Sequence, residues 1–119
     1  MERDIVVRTF NLGVQIIKLA EHIPMSQAGK VIARQVLRSG TSVGANVEEA
    51  ESAYTKDVFT YKMNIALSEA RETYYWLRLL KCSDLLTSHG LDVIIDEADQ
   101  IRKILGAIVS SSRGKSKKH

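Results

Sequence analysis

The chain has 119 residues, 45% of them hydrophobic and 26% charged, with one proline and one cysteine. That length carries one domain with a real core, and the composition excludes a disordered chain, a disulfide scaffold and a turn-rich β protein. The formal net charge of +3 divides unevenly: Arg113, Lys115, Lys117 and Lys118 sit in the last seven residues, while residues 1–112 hold 13 Lys and Arg against 14 Asp and Glu.

The folded part is thus close to neutral, and residues 113–119 read as a disordered basic tail. Such a tail suits contact with nucleic acid or simple solubility, and composition does not choose. Cys82 alone fits a reducing compartment. No signal peptide stands at the start and no apolar run approaches ~18 residues, so a cytoplasmic protein is expected.

Asp4 can cap a first helix over about 5–22. Val6, Phe10, Gly13, Ile17 and Ala20 form one stripe on it, widened by Leu12, Ile16, Leu19 and Ile23. Pro24 ends the element, since the residue before a proline is pushed from helical angles. Ser26 then caps a second helix over about 27–53.

Its centre, Arg38 to Ala50, holds Gly40, Thr41, Ser42, Gly44 and Asn46, all poor helix formers. Yet Val36, Gly40, Val43, Val47, Ala50 and Tyr54 step by 4, 3, 4, 3 and 4, so the helical phase runs through the glycines. Each glycine gives up roughly 1 kcal/mol of helix propensity. Close approach of a neighbouring backbone is the expected return. A phosphate loop is the sharper alternative, but no lysine follows the glycines and no strand leads in. Asn46 beside this seam is expected to fix helix register as a buried amide.

Thr55 caps a third helix over about 56–83, with Asp57 in its first turn. Phe59, Met63, Ala66, Ala70, Tyr74 and Leu77 make its seam, and Ile65, Trp76 and Leu79 lie over on another face. A fourth helix over about 90–111 carries the seam Leu91, Ile94, Ala98, Ile101, Leu105 and Ile108. Four amphipathic helices with short links predict an all-α, up-down-up-down antiparallel four-helix bundle over 1–112. The surplus of large apolar residues on helix three predicts a homo-oligomer.

Chemistry is sparse. The residues three before His22, His89 and His119 are Leu19, Leu86 and Ser116, so the Glu-x-x-His pairs of a di-iron bundle are missing. Scattered histidines and one cysteine make no zinc set. Glu69 and Glu72 share a face with Trp76; they suit acid–base chemistry with a raised pKa, or ion pairing with Arg71 or an arginine of helix two. With no nucleophile in register, ion pairing is favoured and no enzyme, metal or cofactor is expected. Basic stripes are better supported. Lys30, Arg34 and Arg38 recur every four residues, and Arg71, Tyr75 and Arg78 share one face of helix three. Guanidinium groups interleaved with an aromatic ring suit single-stranded nucleic acid; a solvated face paired to Glu48, Glu49 or Glu51 is the plainer reading.

The runs Pro24–Lys30, Arg34–Ala50, Lys62–Thr73 and Trp76-Leu77 resemble the small bacterial four-helix proteins found in intervening sequences of large-subunit ribosomal RNA genes. The accessory variability determinant of diversity-generating retroelements is similar to the same family. The resemblance spans nearly the whole chain. It implies a four-helix protomer assembled into a five-fold ring, and no catalytic residues. In the retroelement branch it also implies a basic surface that binds RNA and a reverse transcriptase. The near-neutral folded part departs from that branch, so the ring carries over and the reverse-transcriptase partnership does not.

Overall fold

The computed structural model describes residues 3–117, which form four helices and no strand. They are α1 (Arg3–Ala20), α2 (Gln27–Glu51), α3 (Lys56–Cys82) and α4 (Leu91–Lys117). At 1.5 Å per residue α1 rises about 27 Å and the 27-residue α3 and α4 about 40 Å, and the molecule measures 51 × 23 × 21 Å. Each helix packs on its neighbours in the order α1, α2, α3, α4 and back to α1, while α1 with α3 and α2 with α4 make no contact.

Capping sets two of the starts. Ser26 accepts a hydrogen bond from the Gly29 amide at 3.1 Å, and Thr55 accepts one from the Val58 amide at 3.1 Å. Each satisfies an amide that the first turn leaves open. Gly29 belongs to the same turn, since a Cβ there would stand 1.8 Å from the Pro24 carbonyl oxygen. Asp4 lies inside the first turn of α1 and does not cap it, because the helix begins a residue earlier. There its charge still meets the positive end of the dipole. α1 ends at Ala20, two residues short of the expected His22.

α4 starts at Leu91 and runs beyond the expected Ser111 to Lys117. Its buried phase continues through Val109 to Ser112, whose hydroxyl bonds Thr60 of α3. No proline interrupts it. The helix therefore takes in residues 113–117 of the segment expected to be disordered. Lys118 and His119 lie outside the described residues, as do the side chains of Lys115 and Lys117.

The core runs through all four helices and includes Leu12, Ile16, Val36, Val43, Val47, Met63, Leu77, Ile101 and Leu105, none of them exposed. On α1 the expected order of the two stripes is reversed. Ile5, Leu12, Ile16 and Leu19 are buried, while Phe10 is 60% and Ile17 50% exposed. α1 has one polar stripe, Asp4, Arg8, Asn11, Gln15 and Lys18, and an apolar arc wider than a single face needs, so packing selects which part of that arc turns inward. On α2, Val36, Gly40, Val43, Val47 and Ala50 are buried as expected, and Tyr54, past the helix end, is fully exposed.

Candidate functional site

The glycine stretch is helical throughout, and α1 is what approaches it. A Cβ on Gly44 would lie 3.1 Å from the Thr9 carbonyl oxygen, and one on Gly40 would lie 2.9 Å from Ile16 Cγ1. The Gly40 distance is shorter than real Cβ atoms show, and the Gly44 distance is tight enough that the Thr9 backbone would have to shift, so α1 packs closest where α2 is bare. The stretch is a packing device, as its phase predicted. Asn46 is a correction: its amide donates to the Ser42 carbonyl of its own helix at 2.9 Å. An amide four residues from a free-turning carbonyl bonds locally before it reaches across a helix interface.

On its other side α2 meets α3 through polar groups. Arg38 donates to both carboxylate oxygens of Glu69 at 3.2 Å and to Glu72 Oε1. Trp76 Nε1 donates to the same Glu72 oxygen at 3.1 Å. The Arg38 hydrogen bond, helped by Trp76 and opposed by partial burial, holds the Glu72 carboxyl below its ordinary range. Glu69 and Glu72 are thus both ion-paired with an arginine of α2. Arg38 in turn leaves the basic ridge, and of Lys30, Arg34 and Arg38 only Lys30 and Arg34 have no described carboxylate partner. Ile65, Trp76 and Leu79 are half-buried, with Trp76 packed on the core. The surplus apolar face of helix three is therefore narrower than its sequence suggests.

Between α3 and α4 the surface opens into a hollow of about 430 Å³ lined by Asn64, Arg71, Gly106, Ser110, Arg113 and Gly114 over Leu67 and Val109. Gly106 carries no side chain to fill it. Arg71 and Arg113, from different helices, both line it, with no acid in the lining. Among the described residues, no carboxylate lies within ion-pair distance of Arg71 or Arg113. One turn further, Tyr75 is 47% exposed. Arg78 folds back, with its guanidinium 4.5 Å from the centre of the Tyr74 ring, and Arg102 covers the same ring at 4.6 Å. The tyrosine covered by guanidinium groups is therefore Tyr74, toward α4, while the Tyr75 ring meets the Trp76 ring edge-on at 5.1 Å between centres and is otherwise part-exposed.

Lys30 and Arg34 are exposed on α2, which does not touch α4, so they stand apart from the hollow. Arg8, which the sequence reading passed over, grips Glu97 of α4 with two hydrogen bonds of 2.9 and 2.7 Å. Its only sequence signal was its place on the polar stripe of Asp4, Asn11, Gln15 and Lys18, which names no partner. The His22 and His89 rings stack at 3.8 Å across the end of α1 and the α3–α4 link. Among the described residues no three of His, Cys, Asp and Glu are grouped to hold a metal ion, and no helix is long and apolar enough to cross a membrane.

Comparison with known proteins places this geometry. No curated protein matches the chain. A protein of unknown function from the S23 ribosomal protein family of Bacteroides thetaiotaomicron VPI-5482 has a similar crystal structure, with 38% identity and a TM-score of 0.80. The match covers 88% of this chain and 97% of that one. Residues 1–107 match the family described as 23S rRNA-intervening sequence protein. On that match, which takes in α1 to α3 and most of α4, the chain belongs to the 23S rRNA-intervening sequence protein family.

Proposed function

We propose that this chain is a non-enzymatic, homo-oligomeric protein that holds RNA or single-stranded DNA along its α3–α4 face. The supporting observation is the hollow that Arg71 and Arg113 both line, with no acid among the lining residues. Two arginines on one hollow can share one phosphate or bridge two. Asn64 and Ser110 add hydrogen-bonding groups beside them, and the exposed part of the Tyr75 ring, braced by Trp76, offers a base-stacking platform. Lys115, Lys117 and Lys118 follow Arg113 in sequence and extend the same electrostatic field. The protomer course in this reading is up-down-up-down and antiparallel, with Thr60 against Ser112 near one end and Lys81 against Asp92 near the other. The five-fold ring follows from the family resemblance alone; a nucleic-acid-handling enzyme as protein partner belongs to its retroelement branch, from which the near-neutral folded part departs.

A protein-only scaffold is the second reading. It is favoured by the number of cations already neutralised within the fold: Arg8, Arg38, Lys62, Lys81 and Arg102 all meet carboxylates. Anisotropy of labelled single-stranded RNA, single-stranded DNA and duplex at two salt concentrations separates the two. For single strands the log–log salt slope should shrink by ~1.4 when Arg71→Ala and Arg113→Ala are combined, from ~0.7 per lost phosphate contact. Tyr75→Ala should weaken single strands by about 1–3 kcal/mol and leave duplex unchanged. An absence of binding by the full chain at low salt removes the nucleic-acid reading and leaves the scaffold.

A further inference from the structure

A glycine inside a helix leaves a gap, and the gaps of this chain meet different surroundings. At Gly40 and Gly44 of α2 the gap is taken by α1. At Gly106 of α4 it stays open, since a Cβ there would meet only Leu67 Cδ1, at 4.0 Å. At Gly114, about two turns on, a Cβ would meet nothing within 4 Å. Slack alone decides nothing. What surrounds it on α4 does.

Both of these glycines line the hollow between α3 and α4. Its floor is apolar, closed by Leu67 and Val109, which are 5% and 3% exposed. Its rim is polar and cationic, with half-buried Asn64 and exposed Arg71 on α3 and exposed Ser110 and Arg113 on α4. Among the described residues neither arginine has a carboxylate within ion-pair distance. A ligand that uses all of this carries a negative charge and an uncharged ring together.

Size narrows the choice. The hollow holds about 430 Å³, inside the ~300–1,000 Å³ range of pockets that take small molecules. A phosphate group alone, about the volume of three waters at ~30 Å³ each, would leave most of it empty. A duplex keeps its bases paired, so its phosphates could meet the rim while no base reached the floor. An unpaired nucleotide meets both. Its base can lie flat against α4 where Gly106 carries no side chain, and its phosphate can take hydrogen bonds from Arg71 and Arg113. The Asn64 amide and the Ser110 hydroxyl each donate and accept, which suits the edge of a base.

Much of this site lies outside the region that marks the family. Val109, Ser110, Arg113 and Gly114 all follow residue 107, where the family match ends. The hollow therefore depends on the last turns of α4. We infer that it seats one whole nucleotide, with the base on the floor and the phosphate on the two arginines. A free nucleoside monophosphate and one splayed nucleotide of a bound strand present that same chemistry. The inference rests on the nucleic-acid reading above and adds that a base enters the fold.

Isothermal titration of the full chain at low salt tests it. The probes are uridine and adenosine 5′-monophosphate, with ribose 5-phosphate and orthophosphate as controls. The nucleotides should bind about 5-fold or more tighter than either control, the margin of a stacked base. Gly106→Leu fills the floor and keeps both arginines, so it should reduce the nucleotides to the level of ribose 5-phosphate. Ser110→Leu replaces that variant if far-UV circular dichroism shows lost helicity. With labelled single-stranded RNA the blocked variant should bind about 5-fold or more weaker. Its log–log salt slope should not change, because no phosphate contact is removed. The inference fails if the controls bind as tightly as the nucleotides, if the blocked variant keeps the margin, or if single strands bind and the nucleotides do not. Loss of nucleotide and single-strand binding together overturns the nucleic-acid reading as well.

Discussion

The two sides of α2 solve the same packing problem in opposite ways. Toward α1 the helix is bare, and Gly40 and Gly44 bring its backbone against Thr9 and Ile16. Toward α3 it is polar, with Arg38 spanning Glu69 and Glu72 and the Ser39 hydroxyl 2.9 Å from that of Thr73. A bare face fixes the distance between two axes and leaves nothing to adjust. A polar face fixes alignment through bonds that can be exchanged, weakened or replaced by water. The first should therefore fail abruptly under substitution and the second by degrees.

The largest effect expected is on the bare side. Gly44→Leu pushes a side chain into the Thr9 backbone, and overpacking of that kind costs about 1–3 kcal/mol. Thermal melting of the purified variant measures it, and a midpoint equal to the parent's would mean that α1 has room to move. Next comes the buried hydroxyl pair. Thr73 also bonds the Glu69 carbonyl at 2.8 Å, whereas Ser39 has no other described partner. Thr73→Val thus strands a buried hydroxyl and should cost about 1–3 kcal/mol, while Ser39→Ala should cost about 1 kcal/mol. The double variant should cost less than the sum. Equal single costs with strict additivity would show that the two hydroxyls do not interact.

The smallest effect belongs to the ion pairs. Glu72 has its folded-state carboxyl held down by Arg38, so the folded chain binds fewer protons than the unfolded one in the acid range. Its contribution is complete at neutral pH and fades as pH falls through and below the ordinary carboxylate range. Arg38 and Glu72 are 47% and 35% exposed, so the pair contributes less than about 1 kcal/mol. Glu72→Gln should flatten the acid limb of stability measured by urea unfolding. An unchanged limb would assign the acid sensitivity to other carboxylates.

Much of this contrast was legible in the residues. The unbroken phase through Gly40 and Gly44 announced both a helix and a close neighbour, because only packing repays glycine in a helix. The Ser26 and Thr55 caps were legible because a hydroxyl before an apolar run has one efficient use. The partner of a side chain was not legible where more than one lay within reach. Asn46 had its own helix as well as the seam, and Arg38 had two carboxylates whose position depends on how α2 and α3 align. α1 misled for a related reason: its apolar arc is wider than one face needs, so its period could not say which part turns inward. The hollow at Arg71 and Arg113 joins residues 42 positions apart, and no local pattern reports such a meeting.

Contact between α1 and α2 also has a lopsided mutational future. A Cβ on Gly13 of α1 would meet the Gly40 carbonyl oxygen at 3.8 Å and the Thr41 Cα at 4.0 Å, which is ordinary contact. The facing positions on α2 have no such slack. Alanine at 13 would gain about 1 kcal/mol of helix propensity and fit, whereas the same change at 44 presses on the Thr9 backbone. Of two glycines that look alike in the sequence, one is a vacancy that drift can fill and the other is a fixed point around which the rest of the chain must evolve.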